Sequence, residues 1–371
     1  MIHELLKAHD AQFYVQHSGN NNFYYATKFK IPNSAFYIVG IDGTDLLVVP
    51  EMEKNRALRE SRVKEIASFT DLGYHERLKE LKDSKKALSQ TLIELLKTHK
   101  ANKILIPPDF PAFLALEFLK NFEVEVVQNP FQKMRAIKSR DEIEKIKDTS
   151  KAIIESFKLA LKLLRNGVKD CDKLRNEIET FLFAKGYLAQ DTIVSSGKLS
   201  ADPHCIGYGE IYEHVIIDIF PKSRKHGYYS DFTRTVILDD CPEIEDMLDA
   251  VIEAQQKAIS IIRDGITAKE VHYTVCDVLE ERGYHTLRKK YREGFIHSTG
   301  HGVGLDIHEE PRIFENEDVL RAGMVFTVEP GLYYRKWGGV RVEDVVVVKK
   351  DGCEILTEFP RKIDMRRDRY G

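Results

Sequence analysis

The stretch LLRNGVKDCDKLRNEIETFLFAKGY, residues 163–187, returns further along the chain as IIRDGITAKEVHYTVCDVLEERGY, residues 261–284. Each copy opens with Arg, then Asn or Asp, then Gly followed by Val or Ile. Each continues with helical periodicity and closes on Gly-Tyr. Gly167, Gly186, Gly265 and Gly283 are expected as helix C-terminal glycines, where left-handed backbone is needed. A repeat of this length is the trace of an internal duplication.

The strand-like runs beyond each copy support the duplication. After the first come HVIIDIF and YYSDFTRTVIL; after the second come MVFTVEPGLYY and GGVRVEDVVVV. These runs place Asp218 and Asp231 13 residues apart, and Glu329 and Glu343 14 apart. Between copies the offsets are 111 and 112 residues. Two hairpins, each bearing two acids, thus recur at matching positions of two halves.

Acids inside apolar strands need a physical reason. A buried carboxylate without a partner costs several kcal/mol, so such groups are paired, protonated or bound to a cation. Arg234 and Arg341 are candidate salt-bridge partners for single acids. Four acids in register, with a glycine-framed histidine elsewhere in the repeat, point instead to metal. Hard oxygen ligands with one imidazole suit Mn²⁺, Fe²⁺ or Co²⁺ better than a structural zinc, which recruits cysteine. Four negative ligands balance two divalent ions, and a pair ~3.5–4 Å apart is the usual two-metal hydrolase arrangement.

The rest of the chain sets the frame. Its 371 residues leave room for two domains, and 43% apolar with 31% charged residues describes a globular protein. A net charge of −3 exerts no pull on nucleic acid or anionic membrane. No apolar run approaches the ~18–20 residues that span a bilayer, and MIHELLKAHDAQFYVQH lacks a signal-peptide core. Cys171, Cys205, Cys241, Cys276 and Cys353 are an odd number without a C-x-x-C pair, which fits thiols in a reducing cytoplasm. The basic end RKIDMRRDRYG is expected as a solvated, frayed tail.

At the other end, SAFYIVGIDGTDLLVV (34–49) reads as a hairpin turning at Asp42-Gly43. Strand-like KILIP and FEVEVV flank a helical PAFLALEFLKN. Residues 1–130 are therefore expected to form a small α/β domain. The segment QNPFQKMRAIKSRDE, with Pro130 and a basic cluster, marks the boundary and leads into an amphipathic helix over 140–164. The second domain is expected over 131–371.

One stretch stays ambiguous on its own: HSTGHGVGLDIHEEP, 297–311. His297 and His301 have the i, i+4 spacing of a zinc-binding helix. Gly300, Gly302 and Gly304 oppose a helix, at about 1 kcal/mol each, and no H-E-x-x-H is present.

Taken together, these motifs resemble the pita-bread metallopeptidases, the group of aminopeptidase P, prolidase, methionine aminopeptidase and creatinase. The resemblance runs over residues 130–358 and rests on DPH (202–204), D…SDFTRT (218–235), HSTGHGVGLDIHEEP, VEPG (328–331) and GVRVED (339–344). The preceding residues resemble the creatinase-type N-terminal domain. The resemblance implies an α/β (α+β) fold, with a small creatinase-like N-terminal domain followed by a pseudo-two-fold pita-bread catalytic domain.

It also implies a site. Asp218, Asp231, His301, Glu329 and Glu343 would hold two divalent ions, manganese first, with cobalt, iron or zinc as alternatives. Asp231 and Glu343 would bridge them, and Glu329 would also shuttle a proton for a metal-bridging hydroxide. His204 would hydrogen-bond the tetrahedral intermediate. His308 and Arg341 would contact the substrate on its proline side, with His297 nearby. The implied reaction is hydrolysis of the Xaa-Pro bond, in dipeptides or at the N-terminus of peptides. The partner is then a proline-containing peptide, with no nucleic acid or membrane, and the implied assembly is a cytoplasmic homodimer.

Two other readings stay open at this point. A methionine aminopeptidase-like enzyme usually lacks both the long N-terminal region and an arginine at the position of Arg341. A metal-free pita-bread binding module would have lost ligands that are all present here. The chain departs from the family pattern after Asp218, where Ile219-Phe220-Pro221 replaces the usual x-Gly and PKSRKHG lengthens the hairpin tip. Trp337 fits equally a rim contact or simple packing.

Overall fold

The computed structural model describes residues 1–366. The chain divides into two compact units, Met1–Met134 and Arg135–Gly371. The first unit contains six strands, β1 (Phe13–His17), β2 (Phe36–Gly40), β3 (Asp45–Val49), β4 (Glu65–Ser68), β5 (Lys103–Ile106) and β6 (Glu123–Val126). They form one mixed sheet in the order β4-β3-β2-β1-β5-β6. Its helices are α1 (Ile2–Ala8), α2 (Asn21–Thr27), α3 (Glu51–Glu60), α4 (Tyr74–Leu81), α5 (Ser84–Thr98) and α6 (Ala112–Phe118).

Side chains alternate across a strand, and here both faces are buried. Phe13, Val15, Phe36, Ile38 and Ile104 pack to one side, whereas Tyr14 and Leu105 join a second cluster with Leu6 and Phe131. This double burial explains why the strands read as nearly continuous apolar runs. The β2–β3 hairpin turns at Gly43, whose φ of 96° only glycine adopts freely.

Helix α7 (Pro130–Ala136) leads into α8 (Arg140–Arg165), which opens on a capping box formed by Ser139 and Glu142. Helix α9 (Cys171–Ala184) packs on α8. The strands β7 (Tyr187–Leu188), β8 (Ile193–Ser196), β9 (His214–Asp218), β10 (Lys222–Ser223) and β11 (Thr233–Ile237) come next. The second half repeats the plan. Helices α10 (Pro242–Ile261) and α11 (Ala268–Glu281) precede β12 (Gly300–Gly302), β13 (Glu309–Ile313), β14 (Val325–Val328), β15 (Gly331–Tyr334), β16 (Gly338–Arg341), β17 (Asp344–Val348) and β18 (Cys353–Ile355). A last strand, β19 (Ile363–Asp364), returns to the first half.

The two larger sheets of this unit are β19-β11-β9-β8 and β13-β12-β14-β17-β18. Each contains the antiparallel pair expected after its repeat, β9–β11 in one and β14–β17 in the other. Each is covered by its own helix pair. Ile153, Phe157, Leu174 and Ile178 pack on Val215 and Ile217; Val251, Ala254, Val271 and Val275 pack on Phe326, Val328 and Val346.

Two details differ from expectation. Gly167, Gly186 and Gly283 follow the caps of α8, α9 and α11 with φ near 86°, 88° and 83°. Gly265 does not cap α10, because Ile262 is drawn into the core in an extended conformation and ends the helix first. The basic C-terminal segment is also no frayed tail as far as Arg366. Strand β19 pairs in parallel with β11, and Arg366 is bonded to Asp364, Asp240 and Glu245. The rest of that tail, 367–371, lies outside the described residues. The longer hairpin tip after Asp218 is accommodated by β10, which pairs with β7. No helix among the described residues is long and apolar enough to cross a membrane.

Candidate metal centre

Each candidate acid lies at a strand end. Asp218 is the last residue of β9, and Asp231 precedes β11 by two residues. Glu329 separates β14 from β15, and Glu343 separates β16 from β17. The runs that read as single strands therefore break at the acids. One hairpin becomes two ladders, β14–β17 and β15–β16, with the carboxylates at the joint.

His301 arrives on a short strand rather than on a helix. A Cβ on Gly300 would lie 1.8 Å from the carbonyl oxygen of Thr327, and one on Gly302 would lie 2.2 Å from that of Glu310. The glycines are thus close-approach positions that let β12 press between β13 and β14.

The side chains converge. His301 Nε2 lies 3.3 Å from Glu329 Oε1 and 3.7 Å from Asp231 Oδ2. Ligand atoms of Asp231, His301 and Glu343 all fall within 4.8 Å of one another. His301 Nδ1 lies 3.2 Å from the carbonyl of Gly302. A proton on Nδ1 leaves the Nε2 lone pair facing the acids. Burial pushes the His301 pKa down to about 4, so the ring is neutral at pH 7. Asp218 Oδ2 accepts from Arg341 Nη2 at 2.6 Å, whereas its Oδ1 is buried with no hydrogen-bond partner among the described residues.

Charge is poorly balanced in this pocket. Asp231 and Glu343 are 5% and 2% exposed. Burial, reinforced by the neighbouring carboxylates, holds both well above the ordinary carboxylate range. Burial likewise pushes Glu329 up to about 7, against the pull of Arg341. A packed carboxylate group with one orphaned oxygen and one inward-facing imidazole lone pair is a donor set that divalent cations fit.

The other sequence candidates surround this group. His204 is exposed. His308 is also exposed, with its ring edge-on to His301 at 4.2 Å between centroids. His297 lies farther back, its Nδ1 2.7 Å from the Ser298 carbonyl and its Nε2 3.1 Å from the Tyr333 hydroxyl. Arg341 is 4% exposed and donates to Asp218, to the Tyr333 hydroxyl at 2.9 Å and to the Pro203 carbonyl at 3.3 Å. Trp337 packs edge-on against Tyr334.

Three further residues belong to the site. Thr233 Oγ1 donates to Glu343 Oε2 at 2.7 Å, and Thr327 Oγ1 donates to Glu329 Oε1 at 3.0 Å. Each threonine stands two residues from an acid, a same-face spacing that the sequence offered. That Thr233 serves the acid of the other half was not readable there. Tyr333, which joins His297 to Arg341, gave no signal beyond being one aromatic residue in an apolar run.

Comparison with known proteins decides the family. Residues 144–350 match the metallopeptidase family M24, and residues 2–137 match the Creatinase/Prolidase N-terminal domain. The chain belongs to metallopeptidase family M24. The expected pita-bread architecture with its creatinase-like N-terminal domain is thereby established. Among M24 relatives, the Xaa-Pro dipeptidase of Pyrococcus horikoshii is 33% identical, covering 93% of this chain and 92% of its own. The prolidase structure from Pyrococcus furiosus superposes with a TM-score of 0.81 at 27% identity, covering 97% of this chain and all of that one. An X-Pro aminopeptidase structure from Thermotoga maritima superposes at 0.78 with 25% identity, over 96% of this chain and 98% of its own.

Proposed function

We propose that this M24 protein hydrolyses the Xaa-Pro peptide bond, in dipeptides or at the N-terminus of longer peptides, with two divalent metal ions. The observation that carries the reading is the convergence of His301 with the acids Asp231, Glu343 and Glu329, together with a buried Asp218 Oδ1 that has no hydrogen-bond partner among the described residues. The names of the relatives, Xaa-Pro dipeptidase and prolidase, support the substrate class.

Asp218, Asp231, His301, Glu329 and Glu343 would hold the metals, with Asp231 and Glu343 shared between them. Manganese is the expected ion, with cobalt, iron or zinc able to substitute. Bound there, such a pair makes water nucleophilic near neutral pH and polarises the scissile carbonyl.

The protein's own groups do the rest. Glu329 takes a proton from the attacking water and returns it to the leaving proline nitrogen. That nitrogen carries no N–H in the peptide and must gain a proton to depart as an amine. His204 donates a hydrogen bond to the tetrahedral oxygen, and His308 contacts the proline side. Arg341 would contact the substrate there as well, while its Nη2 holds Asp218 at 2.6 Å. The cytoplasmic homodimer is proposed on the same family grounds.

The deciding experiment is a peptide-length series, Xaa-Pro against Xaa-Pro-Yaa and longer, assayed with each metal in turn. Cleavage at the Xaa-Pro bond is expected, with dipeptides slightly favoured. If all of these remain intact with manganese and cobalt supplied, the proposal fails.

A further inference from the structure

His308 sits on the turn between β12 and β13, where its neighbours Asp306 and Ile307 are partly exposed. The backbone bonds at the turn include Gly304 N to the Asp306 carbonyl at 3.1 Å and Tyr229 N to the Gly304 carbonyl at 2.7 Å. The next residue, Glu309, is held quite differently. Its side chain is 8% exposed and receives two cations, Lys138 Nζ at 2.8 Å on Oε1 and the Arg135 guanidinium on Oε2. Arg135 also reaches Asp306 at 2.6 Å, and the backbone N–H of Asp306 donates to Glu309 at 3.3 Å.

Both cations are themselves buried, with side-chain exposures of 4% for Arg135 and 1% for Lys138. Their segment is anchored to the catalytic sheet. Lys138 N donates to the Gly323 carbonyl at 2.9 Å, and Ile137 bridges to Met324 just ahead of β14. On its other side the carboxylate lies over Gly304, where an added Cβ would come within 2.4 Å of Oε1.

A buried ion cluster is weak evidence of stability, because apolar packing of the same volume does as well. Its specific effect is position: two fixed cations leave one carboxylate a single placement. Glu309 pairs with Gly302 in the β12–β13 ladder, so its placement sets where the chain passes beside His301.

We infer that Glu309, clamped by Lys138 and Arg135, is a positioning residue that holds His308 at the mouth of the metal centre. The inference rests on the reading of His308 as a substrate contact. It extends the site to a segment, 135–138, whose residues touch no candidate ligand in the contacts described.

The test uses Glu309→Gln, His308→Ala and the double variant in the full chain. Glu309→Gln is expected to raise KM for an Xaa-Pro dipeptide about tenfold, with kcat and metal content near wild type. The double variant is expected to be no worse than His308→Ala alone, since residues acting as one unit are not additive. In the metal-free protein, the His308 ring-proton resonance carries a shift from the edge-on His301 ring, and Glu309→Gln should lose it. Unchanged KM and resonance, or additive losses in the double variant, overturn the inference. Should Glu309→Gln not fold, Lys138→Gln makes the same test. If wild-type protein leaves Xaa-Pro dipeptides and longer Xaa-Pro peptides all uncleaved, the functional reading falls, and the resonance alone decides the clamp.

Discussion

Glu329 shows how a side chain's surroundings can set the pH behaviour of the empty site. Burial raises its pKa from 4.5 to about 7, and Thr327 and Arg341 only partly oppose this. Between those two values the folded chain binds more protons than the unfolded one, so stability falls as pH rises through the window and levels above 7. Glu329→Gln removes this titration while keeping a donor 3.3 Å from His301 Nε2. With a chelator present, the variant should therefore gain on wild type as pH rises from 4.5 to 7. The ceiling is on the order of 3 kcal/mol. Comparing the two proteins cancels the opposite contribution of buried histidines such as His214, pushed down to about 4. Thermal melts across this range check it, and a gap that does not vary with pH would refute the assignment. With metal added, the order should reverse.

At the scale of elements, the close approach of β12 to β14 carries the histidine into the site. Gly300→Ala would place a methyl 1.8 Å from the Thr327 carbonyl. The strand must move, taking His301 with it, and Thr327 also supports Glu329. The expected cost is about 1–3 kcal/mol as overpacking, together with a loss of metal affinity. Gly167→Ala meets open space and is strained only by its φ of 86°, so it should lower stability while sparing metal binding. Calorimetric metal titration separates the two; equal metal affinity in both variants would count against the role given to β12.

The same elements show what could be read in advance. Asp218, Asp231, Glu329 and Glu343 were legible because each interrupts an apolar run where charge is costly. Their recurrence exposed the two-half plan. Arg135 and Lys138 were not, because a basic cluster beside a proline reads as a solvated linker. Their shared partner Glu309 lies more than 170 residues away, and local pattern carries no trace of it. The C-terminal arginines misled for the same reason.

Across the whole catalytic unit, those arginines tie its parts together. Arg234, from the first half, donates to Asp344 Oδ1 at 2.7 Å and to the carbonyls of Glu343, Phe359 and Pro360. Arg361 approaches the other Asp344 oxygen at 3.3 Å, where Gln255 also donates. The residue before Asp344 is the candidate ligand Glu343, so the terminal segment braces the metal centre from behind. Arg361→Gln should lower stability by about 1–3 kcal/mol, the usual cost of losing a charged hydrogen-bond partner. It should weaken metal binding as well. Denaturant midpoints and metal titration measure both effects, and undiminished metal affinity would confine Arg361 to a stability role.

The distribution of ligands over both halves has a consequence for synthesis. Asp218 and Asp231 leave the ribosome long before Glu343, which follows Asp218 by 125 residues. At ~5–20 residues per second this is a delay of ~6–25 s. During that interval the nascent chain would hold only half of the proposed metal site. On the proposed ligand set, metal uptake would come only after Glu343 has emerged, and the hydrolase would stay inert until then.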